Sequence, residues 1–176
     1  AVIAACFTLT FTGCGQTPES PGSLPVSGVV SETTAQSGQA TAGVSEGCRF
    51  TIHFIDVGHA ASALVTCNGD SMLIDGGKVK NNQKLISRLK ALNVTHLDAV
   101  ICSHPDEDHC GGLAAVLSGT QTDAFYCSVD SWHTKAFSDV VKYADEQGVC
   151  VTIPSPGDSF SFGRASVEFL GPVQDY

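Results

Sequence analysis

Positive charge is scarce in this chain. Nine Lys and Arg stand against eighteen Asp and Glu in 176 residues, giving a formal net charge of −9 and a pI near 4.8. That balance excludes a broad basic surface holding nucleic acid by phosphate neutralisation, so a polyanionic substrate would have to be held by local metal charge. Long apolar runs are also missing. Residues 1–13 are apolar and small but fall short of the roughly 20 residues that a membrane-spanning helix needs. No internal repeat is evident. Residues 15–46 hold almost no large apolar side chain and are rich in Ser, Thr, Gly, Pro and Gln, so they cannot bury a core and read as a flexible tether.

What is present suits one folded body. The chain is 43% hydrophobic and of a length ordinary for a single domain, and the body is expected at residues 47–176. Residues 1–14 read as the apolar region of a signal peptide. Neither Met nor a basic segment precedes them, so the chain is expected to begin inside its own signal. Phe11, Thr12, Gly13 and Cys14 resemble a bacterial lipobox, with Phe at the position usually held by Leu. The expectation is export, with lipidation at Cys14 or ordinary secretory cleavage, and membrane contact only through that anchor.

Cysteine usage agrees with export. Cys48, Cys67, Cys102, Cys110, Cys127 and Cys150 form an even set compatible with disulfides in an oxidising compartment. A hairpin folding back at residues 58–61 would place Cys48 opposite Cys67, the first pairing expected. Cys102 and Cys110 flank a polar loop as ligands, buried thiols or disulfide partners.

Strand and helix patterns alternate along the body. Residues 50–57 and 62–66 are rich in β-branched and aromatic types and read as paired strands, with a third at 71–74 that ends at Gly76-Gly77. Leu85, Ile86, Leu89 and Leu92 fall at helical spacing over 82–92. A buried strand at 97–102 feeds a loop, and a helix starts at 112–117. Strands at 124–129 and 149–153 flank a helix at 135–146 with Phe137, Val140, Val141 and Ala144 inward, and a hairpin follows at 159–162 and 165–170.

The loop carries the chemistry. His104, Asp106, Asp108 and His109 crowd one short segment before Gly111-Gly112. Two imidazoles and several carboxylates together cost desolvation and repulsion unless a cation satisfies them. His104 and Asp106, two apart on extended backbone, would face one side, while Asp108 and His109 project from the next turn, a spacing able to feed two metal positions.

His104-x-Asp106-x-Asp108-His109 with Gly111-Gly112 resembles the metal motif of the metallo-β-lactamase fold, whose usual form is His-x-His-x-Asp-His. Phe54-Ile55-Asp56-Val57-Gly58 before His59, and Leu73-Ile74-Asp75-Gly76-Gly77, resemble the extracellular domain of the competence channel protein ComEC and its stand-alone relatives. The resemblance covers about residues 49–176. It implies an α/β chain with a metallo-β-lactamase-like αββα sandwich, of which only the first αβ half is present, the C-terminal part being missing. It also implies two divalent ions, Zn with Mn or Mg as alternatives, with His104 and Asp106 on one and Asp108 and His109 on the other. Asp106 in place of a His hardens the first site. Two ligands per ion implies weak binding in this chain and no activity without the second half.

The implied reaction is attack by a metal-bound hydroxide on a phosphodiester of nucleic acid or nucleotide type. Asp108 would orient the water, and Asp56, Asp75 and His59 would support the ligand loops. For Asp75 a plain Asp-Gly turn is an equal reading. His53, His96 and His133 are expected to be structural or surface residues. Gly58-His59-Ala60-Ala61-Ser62 departs from the Gly-Gln-Gly-Asp-Ala common in ComEC-like chains and removes a carboxylate, which weakens transfer of nuclease activity. Alternatives are hydrolysis of a β-lactam or other amide on the same fold, and a non-catalytic extracellular binding module.

Overall fold

A computed structural model describes residues 7–11 and 49–172. The proposed lipidation site Cys14, the tether and Cys48 lie outside the described residues, so the Cys48–Cys67 pairing is left as an expectation.

The strands are β1 (Phe7–Phe11), β2 (Phe50–Phe54), β3 (Ala63–Cys67), β4 (Asp70–Ile74), β5 (His96–Leu97), β6 (Ala99–Cys102), β7 (Gln121–Thr122), β8 (Phe125–Cys127), β9 (Val151–Thr152), β10 (Ser159–Phe162) and β11 (Ala165–Phe169). A 3₁₀ turn at Val79–Asn81 leads into α1 (Asn82–Ala91); α2 (Glu107–Cys110), α3 (Leu113–Leu117) and α4 (Lys135–Glu146) complete the set. Among the described residues no helix is long and apolar enough to cross a membrane.

Six strands form the central sheet in the order β2-β3-β4-β6-β8-β9. The first three are antiparallel, and β4, β6, β8 and β9 run parallel. Side chains alternate between the faces of a strand, and the sheet uses both. Leu64, Leu73, Val100 and Phe125 point to one face, where Leu85 and Leu89 of α1, Leu113 and Val116 of α3, and Phe137, Val140 and Ala144 of α4 close over them. Val65, Met72, Ala99 and Ile101 point to the other, against Phe162, Val167 and Phe169 of β10 and β11. The layers are therefore helix, sheet and a smaller sheet, in which β11 lies between β1 and β10. This mixed α/β arrangement is the fold class that the sequence motifs imply.

Two of the differences from the sequence reading have a visible physical reason. The run at 97–102 splits at Asp98, whose carboxylate accepts the Ser71 amide at 2.7 Å, and His96–Leu97 pairs instead with β7. The segment after β6 contains a separate turn of helix, α2, because Asp106 adopts an extended backbone and accepts the His109 and Cys110 amides on its carbonyl.

Candidate metal centre

The parallel strands β4 and β6 run side by side and both deliver a loop at their C-terminal ends. From β4 comes Asp75, 4% exposed, with φ +58°. From β6 come Ser103 and His104, and α2 then carries Asp108 and His109.

The two loops are joined by backbone. The Gly76 amide donates to His109 O at 2.6 Å, and the Gly112 amide donates to Gly77 O at 2.9 Å. A Cβ on Gly112 would land on the Gly76 carbonyl oxygen, and one on Gly76 would lie 2.6 Å from the Leu113 nitrogen, so both positions need glycine. A third loop follows β2 and is tied to the same place by Ala61 N–H donating to Asp108 O at 3.1 Å.

Asp75 organises the polar contacts. Its carboxylate accepts the Ser103 amide at 2.8 Å, the Ser103 hydroxyl at 2.8 Å and His109 Nδ1 at 2.7 Å. With its own proton given to Asp75, Ser103 Oγ is left to accept from His104 Nδ1, 3.1 Å away. Both imidazoles then carry hydrogen on Nδ1 and keep the Nε2 lone pair free, which is the tautomer a metal ligand needs.

The ring centroids of His104 and His109 are 3.9 Å apart. Hydrogen bonding to Asp75 raises the His109 pKa above its ordinary value, whereas burial, with a contribution from His109, lowers that of His104. Ligand atoms of His104, Asp108 and His109 all lie within 4.8 Å of one another. Two imidazole nitrogens and a carboxylate oxygen at that spacing fit a divalent cation of the zinc type, with room for a further ligand.

Asp106 stands outside that trio. Its side chain is 54% exposed, yet Oδ2 is 3.6 Å from His104 Nε2, close to the roughly 3.3 Å that separates two donors of one tetrahedral zinc. Asp56 and His59 are placed differently again. The Asp56 carboxylate accepts the Gly58 amide at 3.1 Å and pairs with Lys84 at 2.6 Å, and that pairing holds its pKa low. His59 is exposed in the loop after β2. Of the histidines read as structural, His96 bonds Asp123 at 2.9 Å, and His133 stacks beside Trp132 with centroids 4.9 Å apart.

Sequence reasoning passed over Ser103; of the alternatives it left for Cys102 and Cys110, the structure shows buried thiols. Cys102 Sγ donates to His104 O and Cys110 Sγ to Pro105 O, each at 3.1 Å, satisfying carbonyls that the buried loop would otherwise strand. Both are free thiols, as are Cys127 and Cys150. Burial pushes the Cys110 thiol up to about 12. The available signal for Ser103 was position alone: it adjoins the ligand motif.

The profile of the Metallo-beta-lactamase superfamily matches residues 55–172. A crystal structure of the metallo-β-lactamase SMB-1 with mercaptoacetic acid is similar at 18% identity and TM-score 0.49, covering 66% of this chain and 48% of that one. A B3 metallo-β-lactamase described as having an active-site glutamic acid gives 16% identity and TM-score 0.46, over 65% and 47% of the two chains. A diphosphatase of the PhnP family gives 17% and 0.37, over 58% and 39%. The chain thus spans about half the length of the first of these structures. No curated protein matches. With its profile match covering well over half of the sequence, the chain belongs to the metallo-β-lactamase superfamily.

Proposed function

We propose that this chain carries the metal-binding face of a hydrolase of ComEC-like type that cleaves phosphodiesters of nucleic acid or nucleotides. The observation that carries the reading is the convergence of His104, Asp108 and His109, with Asp75 and Ser103 fixing the tautomers behind them. A divalent ion held there supplies Lewis acidity and makes water acidic enough to react near neutral pH. Asp106, at the solvent edge, adds a hard oxygen donor beside His104 and favours Mn or Mg more than a second imidazole would. Asp108, partly exposed, is the carboxylate that would orient the attacking water. His109 gives its Nδ1 hydrogen to Asp75 and so keeps Nε2 for a cation.

The same reading has the protein exported and held at the cell surface through Cys14, with residues 15–46 as its tether. A Cys14→Ser variant should then be released to the medium.

The decisive assay incubates the complete gene product with Zn or Mn, single-stranded DNA and bis(p-nitrophenyl) phosphate. The expected result is cleavage abolished by chelator and by H104A. Hydrolysis of nitrocefin with no attack on either diester would establish the amide-hydrolase alternative. Calorimetry showing no uptake of either metal would establish the non-catalytic one.

A further inference from the structure

The scarce positive charge is not evenly spread. Lys78, Lys80, Lys84, Arg88 and Lys90 account for five of the nine cations, and no Asp or Glu occurs from residue 76 to residue 97. The 3₁₀ turn and α1 therefore form a purely basic segment in a chain of net charge −9. Lys84 and Arg88, four apart on α1, lie on one face about 6 Å apart along the axis, and Lys80 precedes them on the 3₁₀ turn; all three are exposed. Lys84 is oriented by Asp56 at 2.6 Å; Lys78, Lys80, Arg88 and Lys90 make no ion pair among the described residues.

Beside the row lies an aromatic ring in water. Phe54, the last residue of the edge strand β2, is 84% exposed. With Lys84, Arg88 and Ala91 it lines a groove of about 450 Å³ whose surface is mostly apolar, a size within the range of ligand clefts. Asp56, paired with Lys84, lines the same groove, and the exposed ring beside Lys84 and Arg88 suits an occupant with a flat apolar face and negative charge.

The chain connects the groove's walls to the metal centre in two places. The basic turn starts right after Gly77, whose carbonyl accepts the Gly112 amide, and Phe54 opens into the loop whose Ala61 amide binds Asp108. We propose that Phe54 and the Lys80–Lys84–Arg88 row form a binding track for single-stranded nucleic acid, a base stacking on Phe54 and successive phosphates lying along the row. The acidic remainder of the surface repels a polyanion and so directs it to this strip. The proposal rests on the phosphodiesterase reading and extends it to strand recognition away from the metal.

The test is fluorescence anisotropy of a 5′-labelled dT15 with the full chain in EDTA and 50 mM salt, where nothing can be cleaved. Binding is expected, weakened about tenfold by F54A through lost stacking. Each of K80Q, K84Q and R88Q should lower the slope of log Kd against log salt by about 0.7. Circular dichroism should show F54A and R88Q folded as the parent, since both side chains are exposed. Absence of binding, binding indifferent to F54A and to the three cation variants, or equal competition by poly-Glu or phosphatidylglycerol vesicles would overturn the track. Hydrolysis of bis(p-nitrophenyl) phosphate without dT15 binding refutes the track alone, and dT15 binding without hydrolysis of any diester refutes the hydrolase reading alone.

Discussion

Asp75 Oδ2 accepts a hydrogen bond from His109 Nδ1 at 2.7 Å, joining two residues 34 apart in sequence, one directly after β4 and the other on α2, which follows the neighbouring parallel strand β6. The bond fixes which imidazole nitrogen faces the candidate cation. Replacing the partner behind a metal-bound His ordinarily weakens metal affinity 10- to 100-fold. Asp75→Asn should show that loss for zinc in calorimetry while retaining the turn, since Asn tolerates the φ of +58° found here. An unchanged affinity would reduce Asp75 to a turn residue.

Asp106 tests metal preference. Asp106→His restores the second imidazole usual in the superfamily motif, and the ratio of zinc to manganese affinity should rise. Competition titrations of the two variants measure it directly.

The backbone crossing beneath the site tolerates no side chain. Gly112→Ala drives a methyl onto the Gly76 carbonyl, and neither partner can rotate away. The expected cost is about 3 kcal/mol, the upper end for overpacking, read from urea unfolding.

His96 gives a pH signature remote from the metal. Its hydrogen bond to Asp123 raises its pKa above the ordinary 6.5. A raised folded value means the native state binds the proton more tightly, so the stabilisation is full below pH 6.5 and disappears as pH climbs through the folded value. His96→Ala should therefore lower the urea midpoint at pH 5.5 and leave it unchanged at pH 9.

Thiol labelling separates surface from core. Cys150 is exposed, whereas Cys102, Cys110 and Cys127 are buried. Iodoacetamide followed by peptide mapping should modify Cys150 at once and the other three only in denaturant.

Much of this arrangement was legible beforehand, and the gaps have physical causes. Helical periodicity placed Leu85 and Leu89 in the core, along with Phe137, Val140 and Ala144, because burial every third or fourth residue leaves a pattern in the chain itself. The His104–His109 loop was equally plain, since no bland structure needs that composition. Strand order was not, because the parallel pairing of β6 between β4 and β8 depends on crossovers that leave no local mark. Asp106 was expected on the same side as His104. Its Oδ2 does lie 3.6 Å from His104 Nε2; what the spacing did not show is that Asp106 is exposed whereas His104 is buried. Lys84, Arg88 and Lys90 fall off the apolar stripe of the 82–92 helix in the sequence and are exposed in the structure, although a net charge of −9 gives no hint of their clustering.

The two glycine pairs, Gly76-Gly77 and Gly111-Gly112, are far apart in sequence but are one object in space, because each pair supplies a backbone partner to the other loop. The loops consequently share a single degree of freedom: neither can open alone. Amide hydrogen exchange at Gly76 and Gly112 should proceed at one common rate, and a cation arriving at His104 and His109 would meet donors already in position.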